Sequence, residues 1–183
     1  MSKVLIPLAH GCEELEAVTL IDLLRRAQIE LVTASLTTDL AVTASRGVTL
    51  LADTTLDVVL ADDFAMIVLP GGQPGTDNLN ADRRIHQLLN SMAANGKWLA
   101  AICAAPQILA TAGLLDGFQA TAYPGVLTDK WPKIKPLDAA VVIDGRRVTS
   151  RGPGTAMDFA LTLIELLAGS DRREQVAVDL VRS

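Results

Sequence analysis

The stretch Trp98-Leu99-Ala100-Ala101-Ile102-Cys103-Ala104-Ala105-Pro106 decides the fold. Its apolar half follows the turn signal Asn95-Gly96-Lys97 and reads as a buried strand. A cysteine comes next, and Ala104 to Ala112 reads as a helix with Pro106 in its first turn. That is the layout of a nucleophile elbow, a sharp strand-to-helix turn that presents one side chain at the bend. Such a bend crowds its neighbours, and Ala101 and Ala105 are the small residues it needs. The free N–H groups and partial positive charge of a helix N-terminus favour thiolate over thiol. The stretch by itself also suits a buried structural cysteine, because cysteine is among the most buried residue types.

Working outward, hydrophobic residues make up 50% of the 183 positions and aromatics only 3%, so the core is built of Ala, Val, Leu and Ile. Such a core suits parallel strands covered by helices on both faces. The length fits a single domain over residues 1–183. The net charge of −5 and the lack of any Lys/Arg run argue against nucleic acid as a partner. Val4 to Ala9 is too short for the core of a signal peptide, and no stretch has the ~20 apolar residues of a membrane span. With two cysteines, Cys12 and Cys103, these features point to reduced thiols in the cytoplasm, a disulfide being the weaker reading.

Taken in order, Lys3–Ala9 is predicted as a strand, His10-Gly11-Cys12 as its turn and Glu13–Gln28 as a helix. On that helix Asp22 is placed to pair with Arg25 or Arg26. Its apolar residues exceed one face, which suggests that a second subunit covers part of it. A strand over Ile29–Leu36 follows, then a hairpin of Ala41–Ser45 and Val48–Leu51. Ala65–Leu69 is another buried strand, ending in Pro70-Gly71-Gly72-Gln73-Pro74-Gly75, and Asp82–Asn95 is a helix. Residues 116–136 are less regular. Ala139–Ile143 and Arg147–Ser150 form a hairpin through Asp144-Gly145-Arg146, and helices cover Thr155–Leu167 and Ser170–Val181. Alternating strands and helices imply a mostly parallel sheet with ligands beyond the strand C-termini. His10 to Cys12, Pro70 to Gly75 and Cys103 should therefore meet in one crevice.

Glu16 shares a helical row with Leu20, Leu23 and Ala27, so its carboxyl should be buried and its pKa raised; Glu13 and Glu14 suit the role of solvated first-turn residues. A protonated Glu16 could donate to the sulfur or carry a proton. Gly71-Gly72 after a strand reads as an oxyanion hole, although many strand ends carry such a pair simply to turn. A cysteine hydrolase also needs a base, usually histidine. His86 falls mid-helix on a solvated face, and His10 lies either near the site or in an exposed loop. Cys12 lies near Cys103 or serves as a small hydrophobe. No His/Cys spacing resembles a zinc site, and no metal or other cofactor is called for.

Together these segments resemble the ThiJ/PfpI superfamily, in the branch of the Parkinson-disease-associated protein and its bacterial relatives. The resemblance runs through Gly11-Cys12-Glu13-Glu14-Leu15-Glu16, Ala44-Ser45-Arg46-Gly47-Val48, Leu69-Pro70-Gly71-Gly72, Ala100 to Pro106 and Thr149-Ser150-Arg151-Gly152-Pro153-Gly154-Thr155. It implies a flavodoxin-like three-layer sandwich, akin to class I glutamine amidotransferases, and a homodimer. It implies a redox-sensitive Cys103 contacted by a protonated Glu16, with backbone donors at Gly72 and Ala104. It maps an arginine that approaches the site from the other subunit onto Arg46. The pocket around the cysteine then comprises Gly71, Arg46, Tyr123 and Pro124.

Two departures bear on activity. Hydrolases of the superfamily place histidine directly after the cysteine, where this chain has Ala104, and relatives often have histidine where Tyr123 precedes Pro124. Tyrosine is a poor base at neutral pH. The implied function is therefore glyoxalase- or deglycase-like chemistry on small reactive carbonyls or glycated substrates. The alternative is an oxidation sensor or redox-dependent chaperone working through Cys103. A cysteine peptidase is the least favoured reading.

Overall fold

In the computed structural model, which describes residues 3–182, the buried apolar runs become the strands of one sheet. Chain order is β1 (Lys3–Leu8), α1 (Glu14–Arg26), β2 (Glu30–Ser35), β3 (Ala41–Thr43), β4 (Thr49–Leu51), β5 (Thr54–Thr55), α2 (Leu56–Val59) and β6 (Met66–Leu69). Then come α3 (Gly75–Ala81), α4 (Arg83–Ala94), β7 (Trp98–Ile102), α5 (Pro106–Thr111), β8 (Gln119–Ala120) and β9 (Lys135–Pro136). The chain closes with β10 (Val141–Asp144), β11 (Arg147–Ser150), α6 (Ala156–Ala168) and α7 (Ser170–Asp179). The seven-stranded sheet runs β10-β11-β7-β6-β1-β2-β5, parallel throughout except for the β10–β11 hairpin. The small β3–β4 hairpin and the β8–β9 pair stand outside it.

The two-residue period of a strand sends alternate side chains to opposite faces. Val4, Ile6 and Leu8 of β1, with Met66 and Val68 of β6 and Ala100 and Ile102 of β7, pack under α1, α6 and α7. Leu5, Ile67, Leu69, Leu99 and Ala101 face the other way, under α2 to α5. The result is an α/β three-layer sandwich of flavodoxin-like type. Among the described residues no helix is long and apolar enough to cross a membrane.

Several boundaries differ from the sequence reading. The elbow helix starts at Pro106 rather than Ala104, because Ala104 and Ala105 are used up in the turn out of β7. Helix α1 is shorter at both ends, with Glu13 as its N-cap. Asp144 belongs to β10, leaving Gly145-Arg146 as a two-residue turn. The final helix ends at Asp179. Short elements α2, α3, β5, β8 and β9 carry too few residues to leave a periodic signal. Of the two arginines offered to Asp22, Arg26 takes it at 3.0 Å, while Arg25 reaches across to Asp53 at 2.7 Å.

Candidate active site

Adjacent parallel strands β1, β6 and β7 end side by side, and the turns that leave them touch backbone to backbone. The Glu13 N–H donates to the Gly71 carbonyl at 2.9 Å. Gly72, at φ +89°, packs so tightly that a Cβ there would stand 2.4 Å from the Glu13 nitrogen. Cys103 stands at the end of β7 with φ +63°, a left-handed conformation that is uncommon for a residue with a side chain. Strain of this kind persists only where the surroundings impose it. Here two hydrogen bonds do so: the Cys103 N–H donates to the Ser150 carbonyl at 3.0 Å, and its carbonyl accepts from the Tyr123 N–H at 2.8 Å. The elbow geometry is thus locked by β11 on one side and by the 121–124 segment on the other.

The first turn of α1 brings Glu16 to this bend. Its helical row with Ala17, Leu20, Leu23 and Leu24 is buried, and Glu16 is itself fully enclosed. Oε2 accepts the Gly71 N–H at 2.8 Å, whereas Oε1 finds no conventional hydrogen-bond partner among the described residues. Burial pushes the Glu16 carboxyl up to about 7, with the Gly71 N–H and the Cys103 thiol pulling the other way. The Cys103 thiol is pushed up to about 12, by burial first and then by the charge and hydrogen bonding of an ionised Glu16. The N–H groups of Gly72 and Ala104 oppose that rise.

These two shifts describe one coupled pair. A proton on Glu16 removes the repulsion and turns the carboxyl into a donor toward sulfur, while the Gly72 and Ala104 donors remain. Near neutral pH the Cys103 thiol, pushed up to about 12, keeps its proton, while the Glu16 carboxyl, at about 7, is poised between its protonated and charged forms. Burial thus overrides the expectation that the helix N-terminus holds Cys103 as thiolate, and Cys12 is also pushed up to about 12, by burial and then by Glu14. A raised thiol pKa consequently fails to distinguish the two cysteines; access does. Cys12 is fully enclosed and Cys103 is 8% exposed, and both are free.

The remaining predicted residues divide. Gly71, Gly72 and Ala104 lie against Cys103. Tyr123 is half-exposed, its ring lies against Gly152, and with Pro124 it lines a cavity of about 290 Å3 beside the elbow. Arg46 sits at the exposed β3–β4 turn, where its backbone N–H donates to Glu14 Oε1 at 2.8 Å. The adjacent Ser45 hydroxyl lies 2.9 Å from both Glu13 and Glu14.

Both histidine rings are engaged away from the thiol. His10 Nδ1 accepts from the Thr43 N–H at 3.1 Å, which makes it a staple between the β1 turn and β3. His86 is half-buried rather than on a solvated face, because α3 folds back and puts the Asn80 carbonyl 2.8 Å from its Nε2. Among the described residues no group of three or more His, Cys, Asp or Glu is arranged to hold a metal ion. Sequence reasoning missed Ser150 and Arg151, which flank the elbow. Their signal was the Thr149-Ser150-Arg151-Gly152 segment, legible as a motif but not as a neighbour of Cys103.

Three relatives frame this geometry. Protein DJ-1 homolog A of Arabidopsis thaliana is 43% identical over 177 residues, covering 95% of this chain and 45% of that protein. Protein dj-1beta of Drosophila melanogaster is 42% identical over 185 residues, covering 99% and 98%. Glutathione-independent glyoxalase DJR-1.2 of Caenorhabditis elegans is 33% identical over 171 residues, covering 92% and 89%. The chain spans less than half the length of the two Arabidopsis thaliana relatives it matches, 45% and 41%. The crystal structure of Drosophila melanogaster DJ-1beta superposes with a TM-score of 0.96 at 41% identity, over 100% of both chains. That of oxidized Toxoplasma gondii DJ-1 gives 0.94 at 38% identity, again over 100% of both. Residues 2–166 match the DJ-1/PfpI family throughout, and on that match and these identities the chain belongs to the DJ-1/PfpI family.

Proposed function

We propose that the protein is a cofactor-independent, cysteine-dependent enzyme acting on small reactive carbonyls, glyoxalase- or deglycase-like, with Cys103 as nucleophile and Glu16 as proton carrier. The observation that carries this reading is the enclosed Glu16 carboxyl, held up to about 7 beside a thiol on a strained elbow. A carboxyl poised near neutrality can both take and return a proton at working pH. One relative bears the name of a glutathione-independent glyoxalase, which supports the same chemistry.

With methylglyoxal the sulfur adds to the aldehyde carbon, the thiol proton passes to the new oxygen by way of Glu16, and a hemithioacetal forms. Glu16 then moves the proton on that carbon to the neighbouring one, while the hydroxyl proton passes to the former ketone oxygen, leaving a lactoyl thioester on Cys103. Water cleaves the thioester, releasing lactate and restoring the thiol. The sum is one water added to one methylglyoxal, with no net electron transfer. The Gly72 and Ala104 N–H groups that bear on the sulfur serve the charge that develops there. Conversion of methylglyoxal to lactate without added thiol, abolished in Cys103→Ala, is the expected result. Full turnover by Cys103→Ala would overturn it.

A second reading has its own support. The same two donors and a protonated Glu16 would stabilise an oxidised sulfur, and one structural relative is described as oxidized. Wild-type protein that takes up oxygen at Cys103 yet leaves methylglyoxal untouched would favour a sensor or redox-dependent chaperone. Peptidase activity is disfavoured because neither histidine ring is free to serve the thiol: both are engaged elsewhere. A homodimer in the cytoplasm fits the exposed apolar side chains Leu15, Val18 and Leu51 and the two free thiols. In it Arg46 would reach the partner's site.

A further inference from the structure

The two segments that lock Cys103 continue into the walls of a second feature. One residue beyond Ser150, whose carbonyl holds the Cys103 N–H, stands Arg151. Tyr123, whose N–H holds the Cys103 carbonyl, stands opposite. Between them lies the cavity of about 290 Å3, walled also by Pro124, Leu127, Leu137 and Asp138. That volume suits a molecule of a few heavy atoms. Polar and apolar atoms share its walls about equally, and Arg151 supplies the one cation among its lining residues, in a protein of net charge −5.

The present partner of Arg151 is Asp138, in an ion pair. The pair is open to solvent: the Arg151 side chain is 41% exposed and that of Asp138 78%. An exposed pair of this kind contributes at most about 1 kcal/mol, so displacing Asp138 adds little to the cost of binding a carboxylate there. Guanidinium also suits a carboxylate geometrically, through two parallel N–H donors.

We propose that this cavity is a carboxylate subsite beside Cys103, in which the acid group of a small carbonyl compound displaces Asp138 from Arg151. The proposal deepens the carbonyl reading given above by naming the substrate class: aldehydes and ketones that carry a carboxylate, in preference to neutral ones. Arg151 acts as a binding and selectivity residue. Thiol and proton transfer stay with Cys103 and Glu16.

The test is independent of turnover. Alkylation of Cys103 by iodoacetate and by iodoacetamide compares an anionic with a neutral reagent of the same size, and the ratio of the two rates reports the local preference for carboxylate. Arg151→Gln should lower that ratio by about fivefold, and Asp138→Asn, which frees the guanidinium, should raise it by a similar factor. Arg151→Lys, which keeps the charge, should stay near the wild-type ratio. Equal slowing of both reagents in Arg151→Gln would show a merely structural role, and an unchanged ratio in Arg151→Gln and Asp138→Asn would also overturn the subsite. Absence of methylglyoxal turnover with the ratio shifting as expected would leave the subsite standing and remove the catalytic reading instead.

Discussion

Gly71 is wedged against Cys103: any Cβ at position 71 would stand 2.6 Å from Cys103 Cβ and 2.8 Å from Glu16 Oε2. Ordinary contacts never come so close, and the third obstacle, the Ile102 carbonyl at 2.9 Å, is backbone that cannot swing away. Gly71→Ala should therefore spread the thiol and the carboxyl apart. Overpacking of this kind costs about 1–3 kcal/mol of stability. Urea unfolding should show that loss, and Cys103 alkylation at pH 7 should slow by more than the stability change explains.

Glu16→Gln keeps a hydrogen-bond donor and removes the titrating proton. Turnover of methylglyoxal should fall by ~10²-fold or more, the usual contribution of a general acid–base group. Cys103 should still be oxidised by peroxide, because a donor still faces the sulfur. Unimpaired turnover in this variant would remove Glu16 as proton carrier.

The same variant should flatten part of the pH dependence of stability. The folded-state pKa of Glu16 lies above its ordinary value of 4.5, at about 7. Its contribution is therefore fully present below pH 4.5 and is lost as pH rises through about 7. Wild-type stability relative to Glu16→Gln should fall across that window, by something of order 3 kcal/mol. Urea midpoints of both proteins at pH 4 and pH 8 measure the change.

Peroxide should modify Cys103 before Cys12. Both thiols are pushed up to about 12, so access and the donors of Gly72 and Ala104 decide the outcome. Peptide mass spectrometry after brief exposure should find oxygen added at Cys103 alone. Modification of Cys12 first would mean that the enclosed turn after β1 opens more readily than the elbow.

Light scattering at micromolar concentration should give twice the chain mass. Leu15, Val18 and Leu51 are 51%, 47% and 76% exposed, an apolar surface around α1 and β4 that a second copy would cover. Val18→Asp combined with Leu51→Asp should yield monomers that keep their far-UV circular dichroism, since neither side chain supports the core.

Much of this architecture could be read along the chain, because the relevant signals are local. The buried runs Met66–Leu69 and Trp98–Ile102, and the helical row through Glu16, carry their burial in their own spacing. The convergence of three strand ends followed from parallel topology. What stayed hidden was set by partners distant in sequence. The engagement of His86 depends on the carbonyl of Asn80 in a helix too short to announce itself. The rise of the Cys103 thiol depends on how deeply the fold encloses it, and the pairing of Arg151 with Asp138 depends on where the irregular 121–138 segment comes to rest.

The two hydrogen bonds that hold the elbow have a consequence for the order of biosynthesis. Cys103 is made well before Tyr123 and Ser150, yet its backbone needs both to keep its left-handed turn. Until residue 150 has left the ribosome, the Cys103 N–H lacks the Ser150 carbonyl that fastens the bend. A chain truncated before β11 would lack the Ser150 carbonyl, one of the two partners that hold the elbow in its left-handed turn.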